Sequence, residues 1–276
     1  MKVFQSIRKL AKALLLAGML SAVVGPASAA TPSGPLKVGT NAGFAAPLEV
    51  AAAEAKKQGL DVKLIEFTDP VSPNVTLANG EIDLNYFQHS LFLDVVKKER
   101  GLDLEPVAIG IVNKTGLYSK KYQRLQDLPN GARVALAGDP VNFARGLHLL
   151  QDAGLLKLKP GADTKATLND IIDNPKQLKL LEIDFHQLPL AVNEVDLAHG
   201  FTHFLLASGV IDPKSALHWE SESESRRYGI HFVAHPKSKD DPRVAQFVGI
   251  YQNSPAVRAE LDKRFGDLYF RLWEKH

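Results

Sequence analysis

The sequence contains no cysteine, and only two methionines and two tryptophans. Without cysteine there are no disulfides, thiolate nucleophiles or cysteine-based metal centres. Lipid attachment at a cysteine next to a signal cleavage point is excluded too, so the mature protein is expected to be soluble and not lipid-anchored. The recognised catalytic runs are also missing: no G-x-S-x-G elbow, no P-loop, no H-E-x-x-H. Asp and Glu are spread too evenly to single out an acid/base pair. The chain is therefore expected not to be an enzyme and to need no cofactor.

Long hydrophobic runs are scarce as well. The most apolar stretch, about Ala13 to Val24, is too short for a membrane-spanning helix of about 20 residues. It follows the basic residues Lys2, Arg8, Lys9 and Lys12 and precedes the small-x-small run Ala27-Ser-Ala29, which is the order of a secretory signal peptide over residues 1–29. Cleavage near Ala29 and a periplasmic destination follow. The full chain carries 33 Lys+Arg against 31 Asp+Glu. Taking away the four basic residues of the signal leaves a mature part with a net charge of −2. No basic stripe remains for nucleic acid, which needs clustered Lys and Arg.

What is present is a regular alternation of strand and helix patterns, favouring an α/β fold with mostly parallel sheets. Helices are expected at Pro47–Gln58, from Ser72 to Asn79, at Ser90–Arg100 closed by Gly101, from Asp139 to Ala153, around Glu194–Ser208, and at Asp241–Gln252 and Pro255–Phe265. In the Asp139 helix, Phe143, Leu147 and Leu150 recur at i, i+4 and i+7, which marks its buried face. Strands are expected at 36–39, 62–67, 82–87, 104–112, 115–118, 133–137, 178–183 and 229–235. Ser221-Glu-Ser-Glu-Ser225 reads as a solvated loop. A split into two lobes fits this order: residues 30–118 with 227–276 in one, and 119–226 in the other.

Three segments carry chemistry. Asn85-Tyr86-Phe87-Gln88-His89, with Phe92 three residues on, sits where a strand hands over to a helix, the place where open α/β sheets bind ligands. Its aromatics suit a flat or thioether-bearing apolar ligand. Asp139-Pro-Val-Asn142-Phe-Ala-Arg145 opens a helix, where free N–H groups and the dipole attract anions, and Arg145 can add a bidentate guanidinium for a carboxylate. The third segment is Ala198-His199-Gly-Phe201-Thr-His203. On a helix, His199 and His203 would share a face, lining a pocket, holding a metal with ligands from elsewhere, or simply packing in the interior.

Taken with Lys37-Val-Gly39, Glu66-Phe67, Gly116-Leu-Tyr-Ser-Lys-Lys121, Leu128-Pro-x-Gly131, Asn174-Pro175, Gln187-Leu-Pro189 and Val195-Asp-Leu-Ala198, these segments run collinearly over nearly the whole mature chain. The sequence resembles the NlpA/MetQ-type methionine-binding proteins, the substrate-binding components of ABC importers. The resemblance implies a two-lobed, hinged fold and a small ligand between the lobes. It also implies delivery to an inner-membrane permease, with the protein acting as a monomer. It places the ligand side chain against Tyr86, Phe87, Gln88 and His89, and the carboxylate on Arg145 with Asn142 beside it.

The chain departs from the family pattern in places. Where the family carries an Asn-rich stretch that receives the ligand's amino group, this sequence has His199-Gly-Phe-Thr-His-Phe204. Phe92 stands where the family favours Tyr, and Leu190 where Arg is usual. Three readings stay open at this level. Methionine or a relative binds, with His199 or His203 accepting the amine. Alternatively the ligand is an organic acid or other sulfur compound, or the histidines hold a metal.

Overall fold

The computed structural model describes residues 34–274, and the expected signal peptide lies outside them. The chain begins with β1 (Leu36–Thr40), α1 (Ala45–Lys57), β2 (Val62–Glu66), α2 (Ser72–Ala78), β3 (Leu84–His89), α3 (Ser90–Arg100) and β4 (Glu105–Ile109). A short strand β5 (Ile111–Asn113) leads to β6 (Thr115–Tyr118), β7 (Arg133–Ala137), α4 (Pro140–Asp152), β8 (Lys157–Leu158), β9 (Ile171–Asp173) and β10 (Lys179–Ile183). Then come α5 (Leu188–Ala191), β11 (Leu197–Phe201), α6 (Thr202–Ser208), β12 (His218–Trp219) and α7 (Glu222–Arg226). The last elements are β13 (Ile230–Ala234), α8 (Pro242–Asn253), α9 (Pro255–Phe265) and β14 (Tyr269–Arg271).

These strands build two five-stranded sheets, ordered β2-β1-β3-β13-β4 and β10-β7-β11-β6-β12. In the first, β2, β1 and β3 are parallel and β13 runs antiparallel to both its neighbours. The second repeats the scheme, with β10, β7 and β11 parallel and β6 antiparallel to β11. Thr115–Tyr118 thus belongs to the second sheet. The outward crossing comes before residue 115, not after residue 118 as the sequence suggested, because β6 finds its partners in β11 and β12. The return lies between Trp219 and Ile230. Strand β14 was not foreseen; it pairs antiparallel with β5, so the end of the chain is tied to the outward crossing.

Each sheet is buried by the alternation its strands carry. Along β7, Val134 and Leu136 face α4, where Phe143, Leu147 and Leu150 pack as the i, i+4, i+7 spacing predicts. Ala135 and Ala137 point the other way, against Leu188, Val192 and Phe204. Each fully buried leucine contributes roughly 1.5–3 kcal/mol. In the first sheet, β1, β3 and β13 supply Val38, Tyr86 and Phe232 to a core closed by Leu48 of α1, Phe247 and Tyr251 of α8 and Leu261 of α9.

Helix ends fall largely where the sequence put them. Asp139 caps α4 by accepting from the Asn142 N–H at 3.0 Å, with Pro140 at the first helical position. Gly101 closes α3 at φ 65°, a left-handed conformation that glycine takes without penalty. The expected helix over 194–208 is corrected. Its first half is strand β11, central in a sheet and completely buried, and only residues 202–208 are helical. Gly200 is the physical reason, since an added Cβ would meet Tyr118 Cδ2 at 2.5 Å. The Ser-Glu run is corrected too: it forms α7, and Ser225 is buried.

Candidate functional site

Between the two sheets lies a cavity. Phe44, Phe87, Gln88, His89, Phe92 and Ile230 line it from the first sheet's side. Asp139, Asn142, Arg145, Phe185, His186, Phe201 and His203 line it from the second. The chain segments that join the sheets add Val112, Asn113 and Tyr228. Contacts close over it from both sides: the Phe44 and His203 rings stack at 4.4 Å, and His89 meets Tyr228 edge to face at 5.1 Å. The approach is so close that a Cβ on Gly43 would stand 2.7 Å from His203 Cδ2.

The wall from the first sheet is set by an irregularity in β3. Tyr86 pairs with Phe232 and Gln88 with His231, so Phe87 is an extra residue without a register partner. Such a bulge lets side chains three apart share a face. Asn85 and Gln88 do so, and both bond to the buried Asn74: Asn85 Nδ2 donates to Asn74 Oδ1 at 2.9 Å, and Asn74 Nδ2 donates to Gln88 Oε1 at 2.8 Å. Tyr86 is corrected. It does not line the cavity but lies fully buried in the core, stacked on Phe232 at 4.3 Å. Its hydroxyl accepts from the Ile111 N–H at 3.0 Å.

His89 ends the strand and caps α3. Its Nδ1 accepts from the Phe92 N–H at 3.1 Å, which leaves Nε2–H to donate to Asn142 Oδ1 at 3.3 Å. Asn142 Nδ2 in turn donates to Asp139 at 2.9 Å. Burial first, and then the nearby Arg145 charge, bring His89 down to about 3, so its imidazole is neutral at pH 7. Burial raises the Asp139 carboxyl above the usual carboxylate range. With both ring nitrogens engaged, His89 offers the cavity its ring surface.

Arg145 and Asn142 lie three apart on α4 and are both buried, facing the cavity. The Nε and Nη2 edge of Arg145 is paired bidentately with Glu220, at 2.7 and 2.5 Å. Ser225 donates to the same carboxylate at 2.7 Å, and the Tyr228 ring stacks on the guanidinium with its centroid 3.8 Å away. Nη1 takes no part in the pair. The Glu220 partnership was not legible in the sequence, where it borders a run that looked like surface.

The third segment divides. His203, on α6, lines the cavity; His199, on β11, does not. His199 is buried behind Phe201, whose ring is 4.5 Å away, and neither of its nitrogens has a partner. The shared helix face expected for the pair is therefore absent. Burial brings both histidines to about 3. Among the described residues, no group of three or more His, Asp or Glu side chains is placed to hold a metal ion. Phe87, Gln88, Phe92 and Phe201 line the cavity. Sequence reasoning missed Phe44, Asn113, Phe185, His186 and Tyr228. They come from separate parts of the chain, and only the proximity of the two sheets brings them together.

The chain matches the NlpA lipoprotein family over residues 36–273. It is 41% identical to the D-methionine-binding lipoprotein MetQ of Yersinia pestis over 214 residues, 76% of this chain and 78% of that protein. Among solved structures it is similar to an ABC transporter periplasmic substrate-binding protein from Coxiella burnetii, with TM-score 0.79 and 37% identity, covering 86% of this chain and 99% of that one. A nutrient-binding protein from Burkholderia cenocepacia bound to methionine gives TM-score 0.78 and 39% identity, covering 86% and 99%. The lipoprotein names of the relatives overturn the expectation of a freely diffusing protein without a lipid anchor. That expectation rested on the missing cysteine alone, and one absent residue type does not define a location. The fold and these matches together place the chain in the NlpA lipoprotein family.

Proposed function

We propose that the protein is the substrate-binding component of an ABC importer and that its cavity takes methionine or a closely related amino acid. The observation that carries this reading is Arg145: one buried guanidinium in a cavity whose remaining walls are largely aromatic. One ion-pairing point beside an apolar pocket suits an amino acid with an uncharged side chain. The methionine-binding names of the relatives support the same reading. Arg145 receives the carboxylate through the Nη1 outside its pair with Glu220, with Asn142, held by Asp139 and His89, beside it. Phe87, Phe92, Phe201 and the His89 ring take the thioether, since sulfur packs well at ring edges.

The two sheets correspond to two lobes, residues 34–109 with 230–274 and residues 115–219, that hinge at the two crossings. Ligand held by both lobes favours the closed arrangement, which a permease can distinguish from the open one. Nothing is transformed; the protein carries. Calorimetry with L- and D-methionine tests this, with saturable one-to-one binding expected. If only organic acids lacking an amine bind, the amino-acid reading fails.

A further inference from the structure

Asn113 lies on β5, the strand that crosses between the sheets, with its backbone paired to Tyr269. Its side chain lines the cavity and is only 5% exposed, yet neither Oδ1 nor Nδ2 has a hydrogen-bond partner. A buried amide with both ends unpaired is costly, and native proteins rarely leave one so. The surrounding polar groups do not relieve it. Asn142 is committed to Asp139 and His89, Gln88 to Asn74, and Arg145 to Glu220. Asn41, the remaining amide of the wall, spends its Oδ1 on the Gly43 N–H at 3.0 Å, so Asn113 is the one side-chain amide in the cavity wall, among the described residues, whose acceptor and donor are both unpaired.

We propose that Asn113 recognises the polar end of the ligand, Oδ1 accepting from an ammonium and Nδ2 donating to the adjacent carboxylate. Nothing in its sequence setting marks it, and it stands apart from all three segments singled out above. An acceptor beside a donor matches the two groups that an α-amino acid carries on one carbon. The position also ties recognition to the hinge, because β5 belongs to neither five-stranded sheet and is one of the links between them. This inference rests on the amino-acid reading of the cavity.

The test compares wild type, Asn113→Leu and Asn113→Asp against L-methionine, 4-(methylthio)butanoic acid, which lacks the amine, and methioninamide, which lacks the carboxylate. For wild type, losing the amine should weaken binding about ten- to a hundredfold. In Asn113→Leu, methionine itself should weaken by that factor, and the further loss of the amine should then cost little. The ligand-free Leu variant should melt no lower than wild type, since a similarly sized apolar group replaces an unpaired amide. Binding of methionine within about twofold of wild type, or an undiminished amine penalty, overturns the proposal.

Should the Leu variant misfold, Asn113→Asp decides. It keeps an acceptor and loses the donor, so it should shift preference from methionine toward methioninamide at least tenfold; an unchanged ratio overturns the proposal. Should wild type bind none of the three probes, the methionine reading fails separately. Small molecules retained by wild type and Asn113→Leu are then compared by mass spectrometry, with depletion in the variant expected and equal retention overturning the role of Asn113. A wild type that binds no probe and retains nothing overturns both.

Discussion

The protein buries two clusters of polar side chains within a few residues of each other, and they are built on opposite plans. Asn74, Asn85 and Gln88 bond to one another until their amide groups are largely spent: Gln88 donates to Asn74 at 2.5 Å and to Asn85 at 3.2 Å, and Asn85 also donates to the Pro73 carbonyl at 3.3 Å. The cavity cluster is left open: the Asn113 amide, both ring nitrogens of His186 and one nitrogen of His203 are buried without hydrogen-bond partners. A closed network in a low-dielectric interior rigidifies the fold, whereas unpaired groups cost stability unless something else satisfies them. The difference separates a part that holds β3 to α2 from a part shaped to receive.

The strongest way to break this comparison is at the one cavity group that combines both plans. Arg145→Ala strands Glu220, a buried charge, and should cost about 3–5 kcal/mol in urea unfolding while reducing ligand affinity by more than about a hundredfold. A variant that unfolds as wild type does would mean that the pair is not a structural element. Next in size, Asn74→Leu removes the hub of the closed network and leaves Gln88 Oε1 without its donor. The expected loss is about 2–3 kcal/mol, with affinity in calorimetry little changed.

The histidines sharpen the contrast through pH. His89, His199 and His203 sit at about 3 in the fold, against about 6.5 when unfolded. The unfolded chain therefore binds more protons between these values. Stability is full above about pH 6.5 and falls as pH drops toward 3, by about 1.4 kcal/mol per pH unit for each residue. At pH 5 that is roughly 2 kcal/mol per histidine. His199→Phe should flatten the stability-against-pH curve by one such contribution while leaving binding at pH 7 intact, since His199 stands behind the wall. An unchanged slope in chemical denaturation would place its charge change elsewhere.

The smallest effect belongs to Tyr86. Tyr86→Phe removes the acceptor for the Ile111 N–H and the partner of the Tyr251 hydroxyl, and should lower stability by about 1 kcal/mol. Ligand affinity should stay within about twofold, because the ring belongs to the core. A large loss of affinity would return Tyr86 to the role the sequence suggested for it.

How legible each feature was follows from how local its cause is. The α4 boundaries, the Gly101 stop and the strands β6 and β7 could be read because caps, prolines and alternation act within a few residues. The bulge at Phe87 could not. It depends on the register against β13, more than a hundred residues away, and it decides that Tyr86 turns inward while Phe87 turns to the cavity. For β11 the sequence pattern misled, as His199 and His203 at a helical spacing straddle a strand-to-helix junction. Asn113 and Glu220 had no local signature at all, since their meaning comes from which side chains meet them in space. The family resemblance reached the fold and named Phe87, Gln88, His89, Asn142 and Arg145 of the cavity wall, but not these two.

The central claim is that this cavity holds an amino acid by its carboxylate at Arg145 and by an apolar side chain against the aromatic wall. The most direct test is mass spectrometry of the small molecule that copurifies with the wild-type protein, set against Arg145→Ala. Methionine or a close relative, present in wild type and lost from the variant, is the predicted result. A retained compound without a carboxylate, or equal retention by the variant, would contradict it.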